Sequence, residues 1–187
     1  MVFAVVLAAA LGSQQPEEPI AIPPASRPII RMGEVNGWAL WDNTGSCAAV
    51  TEYGERGVTV RVSYFPTGND AFLWVSDPAW RTIQDNGVYR VTVLFDNGSE
   101  YADVEAEGMV RTQPASTALM IRLNAREFLQ DFAAANRVGL FMDDDRLGVF
   151  LLDGTAEMVS RLRMCAEASA RRNPPDPFLN RTPIRRR

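Results

Sequence analysis

The side chains of this sequence that can do chemistry are its carboxylates, its two cysteines and its arginines. The chain has 187 residues, with 23 acidic residues, 19 basic residues and no histidine. Without imidazole, Ser-His-Asp triads and His-ligated metal sites are excluded. The sequence also lacks the G-x-S-x-G and S-x-x-K patterns that surround many nucleophilic serines. We therefore expect no catalytic residues, no metal site and no cofactor, and a binding role is favoured over an enzymatic one.

Carboxylates keep one enzymatic alternative open, because a pair of them can act as general acid and base on a glycan. A hydrolase acting on a cell-wall or other glycan would need two such acids to converge. The acids that could converge are Asp70, Asp77, Asp85, Asp96, Glu100 and Asp103.

The densest acidic cluster is Asp143, Asp144 and Asp145. Three adjacent carboxylates offer oxygen ligands to a hard cation such as Ca²⁺. Adjacent residues of a strand point in opposite directions, however, and the cluster lacks the D-x-D-x-D-G spacing of a calcium loop. The sequence therefore favours a solvated hairpin turn at this position.

Four tryptophans supply the largest apolar side chains. In a small β domain such residues are usually core, which is the interpretation for Trp38, Trp41 and Trp74. The segment Asp77-Pro78-Ala79-Trp80 has the composition of a turn and can display Trp80 as a stacking platform for a sugar or peptide. Trp80 is thus a candidate contact residue, with a place in the core as the alternative.

The two cysteines, Cys47 and Cys165, are an even number with a spacing far from any metal-ligand pattern. In an oxidising compartment they favour one disulfide that ties the start of the domain to its end. Two buried free thiols are the alternative.

The N-terminus has the pattern of an export signal. Residues 2–11 form an apolar run, and Ala8 and Ala10 satisfy the small-x-small rule for cleavage. We assign residues 1–12 to a signal peptide and 13–36 to a Pro-rich linker, so we expect a periplasmic or secreted protein. The run is too short to span a bilayer as a helix, which predicts no transmembrane anchor. The alternative to a signal peptide is that the apolar run forms a buried N-terminal strand or helix.

Charge is distributed unevenly along the chain. All 19 basic residues are arginine, a bias typical of GC-rich bacterial coding sequences, and residues 172–187 carry five Arg and one Asp. The acidic body before them would repel a phosphate backbone, so no nucleic-acid partner is expected. Residues 171–187 are predicted to be a disordered basic tail. Arg185, Arg186 and Arg187 would contact an envelope protein or an anionic surface, unless the tail only aids solubility.

Hydrophobic periodicity predicts a mainly β domain over residues 37–170. Strands are expected at 38–41, 47–53, 58–64, 70–76, 88–95, 99–107, 117–123, 137–142 and 146–152. Asn-Gly pairs at Asn86 and Asn97 predict tight turns. Asn124 and Glu127 resemble a capping box that opens one helix, and a second helix begins near Thr155. The fold class is an antiparallel sandwich or open barrel of eight or nine strands, with two helices near the C-terminal end.

The layout of export signal, Trp-rich first strand and early Cys47, with Leu151 to Thr155 and Cys165 closing the domain, resembles small secreted proteobacterial β domains of the invasion-associated locus B family. The resemblance implies an envelope protein without catalytic residues that acts through contacts. Our leading hypothesis is a non-catalytic periplasmic or secreted interaction module. A flat apolar patch or an exposed strand edge would support it, whereas converging acids beside aromatic rings would support the hydrolase.

Overall fold

A computed structural model describes residues 29–112, 115–143 and 145–174. Within them the chain forms one antiparallel sheet of ten strands, in the order β1-β2-β3-β4-β5-β8-β7-β6-β9-β10. The strands are β1 (Ile30–Val35), β2 (Trp38–Asn43), β3 (Ser46–Tyr53), β4 (Val58–Phe65), β5 (Asp70–Ser76), β6 (Val88–Phe95), β7 (Glu100–Thr112), β8 (Ala115–Asn124), β9 (Arg137–Met142) and β10 (Asp145–Leu151). The expected mainly β class with two late helices is confirmed.

The sheet is not closed into a barrel. It curves, however, because its last strand reaches β3, where the Tyr53 hydroxyl donates to the backbone oxygen of Leu151 at 2.6 Å. The rings of Tyr53 and Phe150 lie 5.3 Å apart. The two edge strands, β1 and β10, stay separate, so the described part of the sheet has two strand edges.

The sheet has one strand more than the sequence predicts. Strand β1 lies inside residues 13–36, which the sequence assigns to a linker, and it pairs with β2. Its register shifts between Arg31 and Gly33, which leaves Met32 as an extra residue. Such a bulge interrupts the alternation of apolar and polar residues on which strand prediction depends. The sheet therefore begins before residue 37.

Two helices cover the concave face of the sheet, here called the inner face. Helix α1 spans Ala125–Ala134 and contacts β5 and β8, while α2 spans Thr155–Arg172 and contacts β2, β3 and β4. Between helices and sheet lies the core, in which Phe95, Phe128 and Phe132 are almost fully buried and their rings pack edge to face or tilted. The burial of large apolar side chains on one sheet face fixes the strand register.

Local sequence explains the ends of the elements. Asn124 caps α1, because its side-chain oxygen accepts from the backbone N–H groups of Arg126 and Glu127 at 3.0 and 3.4 Å. Asn86 adopts a left-handed backbone with φ 59° in the turn before β6. The expected capping signal and the first Asn-Gly turn are therefore present.

A disulfide joins Cys47 on β3 to Cys165 on α2, with the two Cα atoms 6.0 Å apart. The predicted bridge is confirmed, and the alternative of two free thiols is wrong. Cys47 is fully buried, so the bond fixes α2 against the inner face. Because 118 residues separate the two cysteines, the bond closes a loop that contains most of the domain.

Candidate binding cleft

A cleft of about 450 Å³ lies where the outer edge of β10, which pairs with no further described strand, faces the turn between β3 and β4. We call it the β10 cleft. Its walls come from three parts of the chain: the β3–β4 hairpin, the loop after β5, and β10 itself. The lining residues are Tyr53, Gly54, Glu55, Arg56, Val58, Asp77, Trp80, Leu147, Gly148, Val149 and Phe150.

The backbone of β10 presents hydrogen-bonding groups to this cleft. The N–H of Leu152 donates to the Asn136 carbonyl at 2.8 Å, on the β9 side, whereas the carbonyl of Leu151 accepts from Tyr53 on the opposite side. Backbone groups of successive strand residues alternate in direction. Val149 therefore points its N–H and C=O the same way as Leu151, toward the cleft. The cleft thus borders an open strand edge.

The cleft walls are largely aromatic and aliphatic. Tyr53, Trp80 and Phe150 line the interior, and the side chain of Val149 is 49% exposed on β10. Aromatic rings give a large contact area at small entropic cost, because few torsions must be fixed. The arrangement suits a ligand that offers both an apolar side chain and backbone hydrogen bonds.

Trp80 is held in the cleft by a rigid turn. The carboxylate of Asp77 accepts from the Ala79 N–H at 2.8 Å, and the Trp80 N–H donates to the Asp77 carbonyl at 3.0 Å. The side chain of Thr117 donates to the Trp80 carbonyl. Trp80 is partly buried, packs against the core and also lines the cleft. Its role as a contact residue stays a prediction.

Charges at the cleft are mixed, because Glu55, Asp77 and Arg56 all line it. The pKa of the Tyr53 hydroxyl is raised to about 12, first by burial and then by the negative charge of Asp153. Tyr53 therefore stays neutral near pH 7 and keeps donating its proton to β10. Its role is to hold the seam between β3 and β10.

The structure does not bring the acids considered for a glycan hydrolase together at the cleft. Of the six, only Asp77 lines the cleft. Others have structural partners: Asp70 pairs with Arg122, Asp85 accepts from the Val110 N–H, Asp96 accepts from the Asn136 N–H, and Asp103 lies 4.0 Å from Arg90. The backbone N–H of Asn136 chiefly lowers the pKa of Asp96. This is the opposite of the raised pKa that a general acid needs.

Two further places combine residues that could in principle bind a cation: the turn that contains Asp143, and Asp42 beside the two cysteines. Asp143 adopts a left-handed backbone with φ 51° in the turn between β9 and β10, while Asp144 lies outside the described residues. Asp42, Cys47 and Cys165 place their side-chain ligand atoms within 4.8 Å of one another. Both sulfurs are used by the disulfide, however, and Asp42 accepts from Ser169 and Arg172. Metal binding by thiolate is therefore excluded while the bridge is intact.

A second depression, of about 630 Å³, lies between the two helices. Leu129 and Val159 form its floor, and Met164 is 62% exposed beside it. Its volume is larger than that of the β10 cleft, but helix surfaces have no free backbone groups to offer along it. We therefore regard the β10 cleft as the better candidate site.

Of the residues that line the β10 cleft, the sequence identified Trp80 as a candidate contact and Asp77 as one of six possible hydrolase acids. Tyr53, Glu55 and Arg56 carry no recognisable motif, and the only local signal is the Gly54-Glu-Arg-Gly57 turn. Arg185, Arg186 and Arg187 lie outside the described residues. In the part of the chain that is described, neither helix is long and apolar enough to cross a membrane.

Comparisons with known proteins return no match: no protein-family model, no curated protein and no solved structure is similar to this chain. We therefore infer the function from the sequence and the geometry of the molecule itself.

Proposed function

We propose that this protein is a non-catalytic periplasmic or secreted interaction module of the bacterial envelope, which binds an extended segment of a partner protein in the β10 cleft. The observation that carries the proposal is the direction of the Val149 backbone, which faces an aromatic-lined cleft from a strand edge that no described strand pairs with. A strand edge beside a side-chain pocket is the arrangement by which many domains bind peptides as an added strand. Main-chain bonds supply affinity there, and the pocket supplies specificity.

The location outside the cytosol is supported by the disulfide, since such bonds persist mainly in oxidising compartments. The apolar run at residues 2–11 and the resemblance to locus B proteins agree with it. A bound strand would also satisfy the edge of the sheet, which otherwise presents Val149 and Leu151 with half of each side chain exposed.

The proposal is tested by immobilising the purified chain, incubating it with soluble envelope proteins and identifying bound proteins by mass spectrometry. Val149→Pro removes the N–H that faces the cleft and leaves the bonds to β9 in place, as proline permits at a strand edge. We expect this variant to lose most of the captured protein. Trp80→Ala should weaken capture by roughly tenfold or more, as loss of a central aromatic contact does.

Trp41→Ala is the matched control, because Trp41, which the sequence assigned to the core, is half-buried on the outer face of the sheet and lies outside the cleft. It should capture as well as the natural chain. Equal capture by all variants would reject the cleft as the binding site. Turnover of a glycan by the natural chain, lost in Asp77→Asn, would instead support the hydrolase.

The basic C-terminal residues add a second contact to this proposal. Residues 175–187 carry four arginines and one aspartate, which favours attachment to an anionic surface of the envelope. The test is a chain that ends at Pro174, because α2 continues to Arg172 and Arg172 pairs with Asp42. We expect it to lose retention on anionic vesicles at low salt. Unchanged retention would remove the tail from the proposal.

A further inference from the structure

The opposite edge of the sheet has its own exposed apolar residues. Ile29, Ile30 and Met32 are 64%, 53% and 55% exposed, which makes them the most exposed group of neighbouring large apolar side chains in the described chain. They lie on or beside β1, the first strand of the sheet, whose outer side has no neighbouring strand among the described residues. An apolar strand edge of this kind is a template for pairing with another strand.

The sequence of β1 is complementary to itself when two copies run antiparallel. In the register where paired residue numbers add up to 65, Arg31 lies opposite Glu34 of the second copy, and Ile30 lies opposite Val35. Met32 lies opposite Gly33, which has no side chain to meet it. Each position therefore meets its complement: charge with opposite charge, apolar with apolar, and large with small.

The faces of the strand agree with this register. Arg31 and Glu34 pair with Trp41 and Ala39 of β2 on the outer face, whereas Val35 pairs with Trp38 on the inner face. Arg31 and Glu34 already form an ion pair within one chain at 3.3 Å, with both side chains more than half exposed. Exposed ion pairs of this type contribute little to stability. The two groups can therefore exchange partners when a second copy arrives.

We infer that β1 is a self-association edge, through which two copies of this chain pair antiparallel around a two-fold axis between Met32 and Gly33. The inference concerns the edge opposite to the β10 cleft, so it stands independently of the proposed function. Two six-residue strands bury less than the roughly 1,200 Å² of a typical stable interface. The dimer should therefore be weak and dependent on concentration.

Charge reversal provides the first test, by sedimentation velocity of the purified chain from micromolar to millimolar concentration. Arg31→Glu and Glu34→Arg each place like charges opposite one another twice in the dimer, so each should weaken association by roughly tenfold. Arg90→Glu is the matched control, because it reverses the charge of another exposed arginine that pairs with Glu105 on β7, away from β1. It should dimerise as the natural chain does.

Mixing the two edge variants provides the decisive test. The Arg31→Glu chain carries Glu at positions 31 and 34, and the Glu34→Arg chain carries Arg at both. Because the two edges are complementary, the mixture should form a heterodimer, whereas each variant alone should stay mainly monomeric. A role of the Arg31–Glu34 pair confined to one chain cannot be restored by mixing. A natural chain that stays monomeric throughout, or a mixture that stays monomeric, would overturn the inference.

Discussion

At the scale of single residues, Tyr53 decides whether the β10 cleft has a fixed shape. Its hydroxyl is the only side-chain group, among the described residues, with a hydrogen bond from β3 to β10. Its ring also packs on Phe150, 5.3 Å away. Because the sheet is open at this seam, the contact of one residue substitutes for the ladder of bonds that a closed barrel would have there.

Tyr53→Phe should therefore lower the free energy of unfolding by about 1 kcal/mol, the usual net value of one hydrogen bond. The ring contact with Phe150 is kept, so the loss reports the hydroxyl alone. Urea unfolding followed by circular dichroism measures it. Tyr64→Phe is the matched control, because the Tyr64 hydroxyl has no hydrogen bond to the described residues. If the two variants were equally stable, the seam would not depend on this bond.

At the scale of elements, the sequence predicted correctly those features that depend only on interactions between residues close in the chain. The Asn124 cap and the apolar spacing of α1 depend on residues within one or two turns, and the structure reproduces both. Strand β1 was missed because the bulge at Met32 breaks its period of two. The β10 cleft was missed because it joins residues near positions 55, 80 and 148, which only the curvature of the whole sheet brings together.

The start of α2 provides a test at this scale. Gly154 occupies the cap position with φ 74°, and a Cβ added there would lie 2.4 Å from the Cβ of Asn36 in the β1–β2 turn. Gly154→Ala should therefore destabilise the fold in two ways, because alanine strains the left-handed backbone and its Cβ clashes with Asn36. Together these should lower the free energy of unfolding by roughly 2 to 4 kcal/mol. Thermal and urea unfolding measure the loss.

Gly57→Ala separates the two contributions, because Gly57 has φ 71° but open space around an added Cβ. Its free energy of unfolding should fall only by the strain of an alanine in a left-handed backbone, roughly 1 to 2 kcal/mol. The difference between the variants then measures how tightly the β1–β2 turn packs on α2. Equal losses would mean that Asn36 moves aside without cost.

At the scale of the whole molecule, the disulfide connects the two halves of the structure. Cys47 lies on the third strand and Cys165 on the last helix, so the bridge closes over seven strands and α1. The polar contacts of Asp42 with Ser169 and Arg172 lie next to it and fix the same end of α2. Helix α2 is thus fixed to the sheet by both covalent and polar bonds.

Replacing both cysteines by alanine should lower the free energy of unfolding by roughly 2 to 5 kcal/mol, because the unfolded chain regains the freedom that a loop of this length removes. A reductant should lower the stability of the natural chain by a similar amount and leave the double variant unchanged. Urea unfolding with and without reductant measures both effects.

Since the bridge holds α2 and not β10, peptide capture by the folded double variant should persist. Loss of capture while the fold remains intact would mean that the cleft depends on how α2 is seated against β3, and that the two ends of the molecule are coupled.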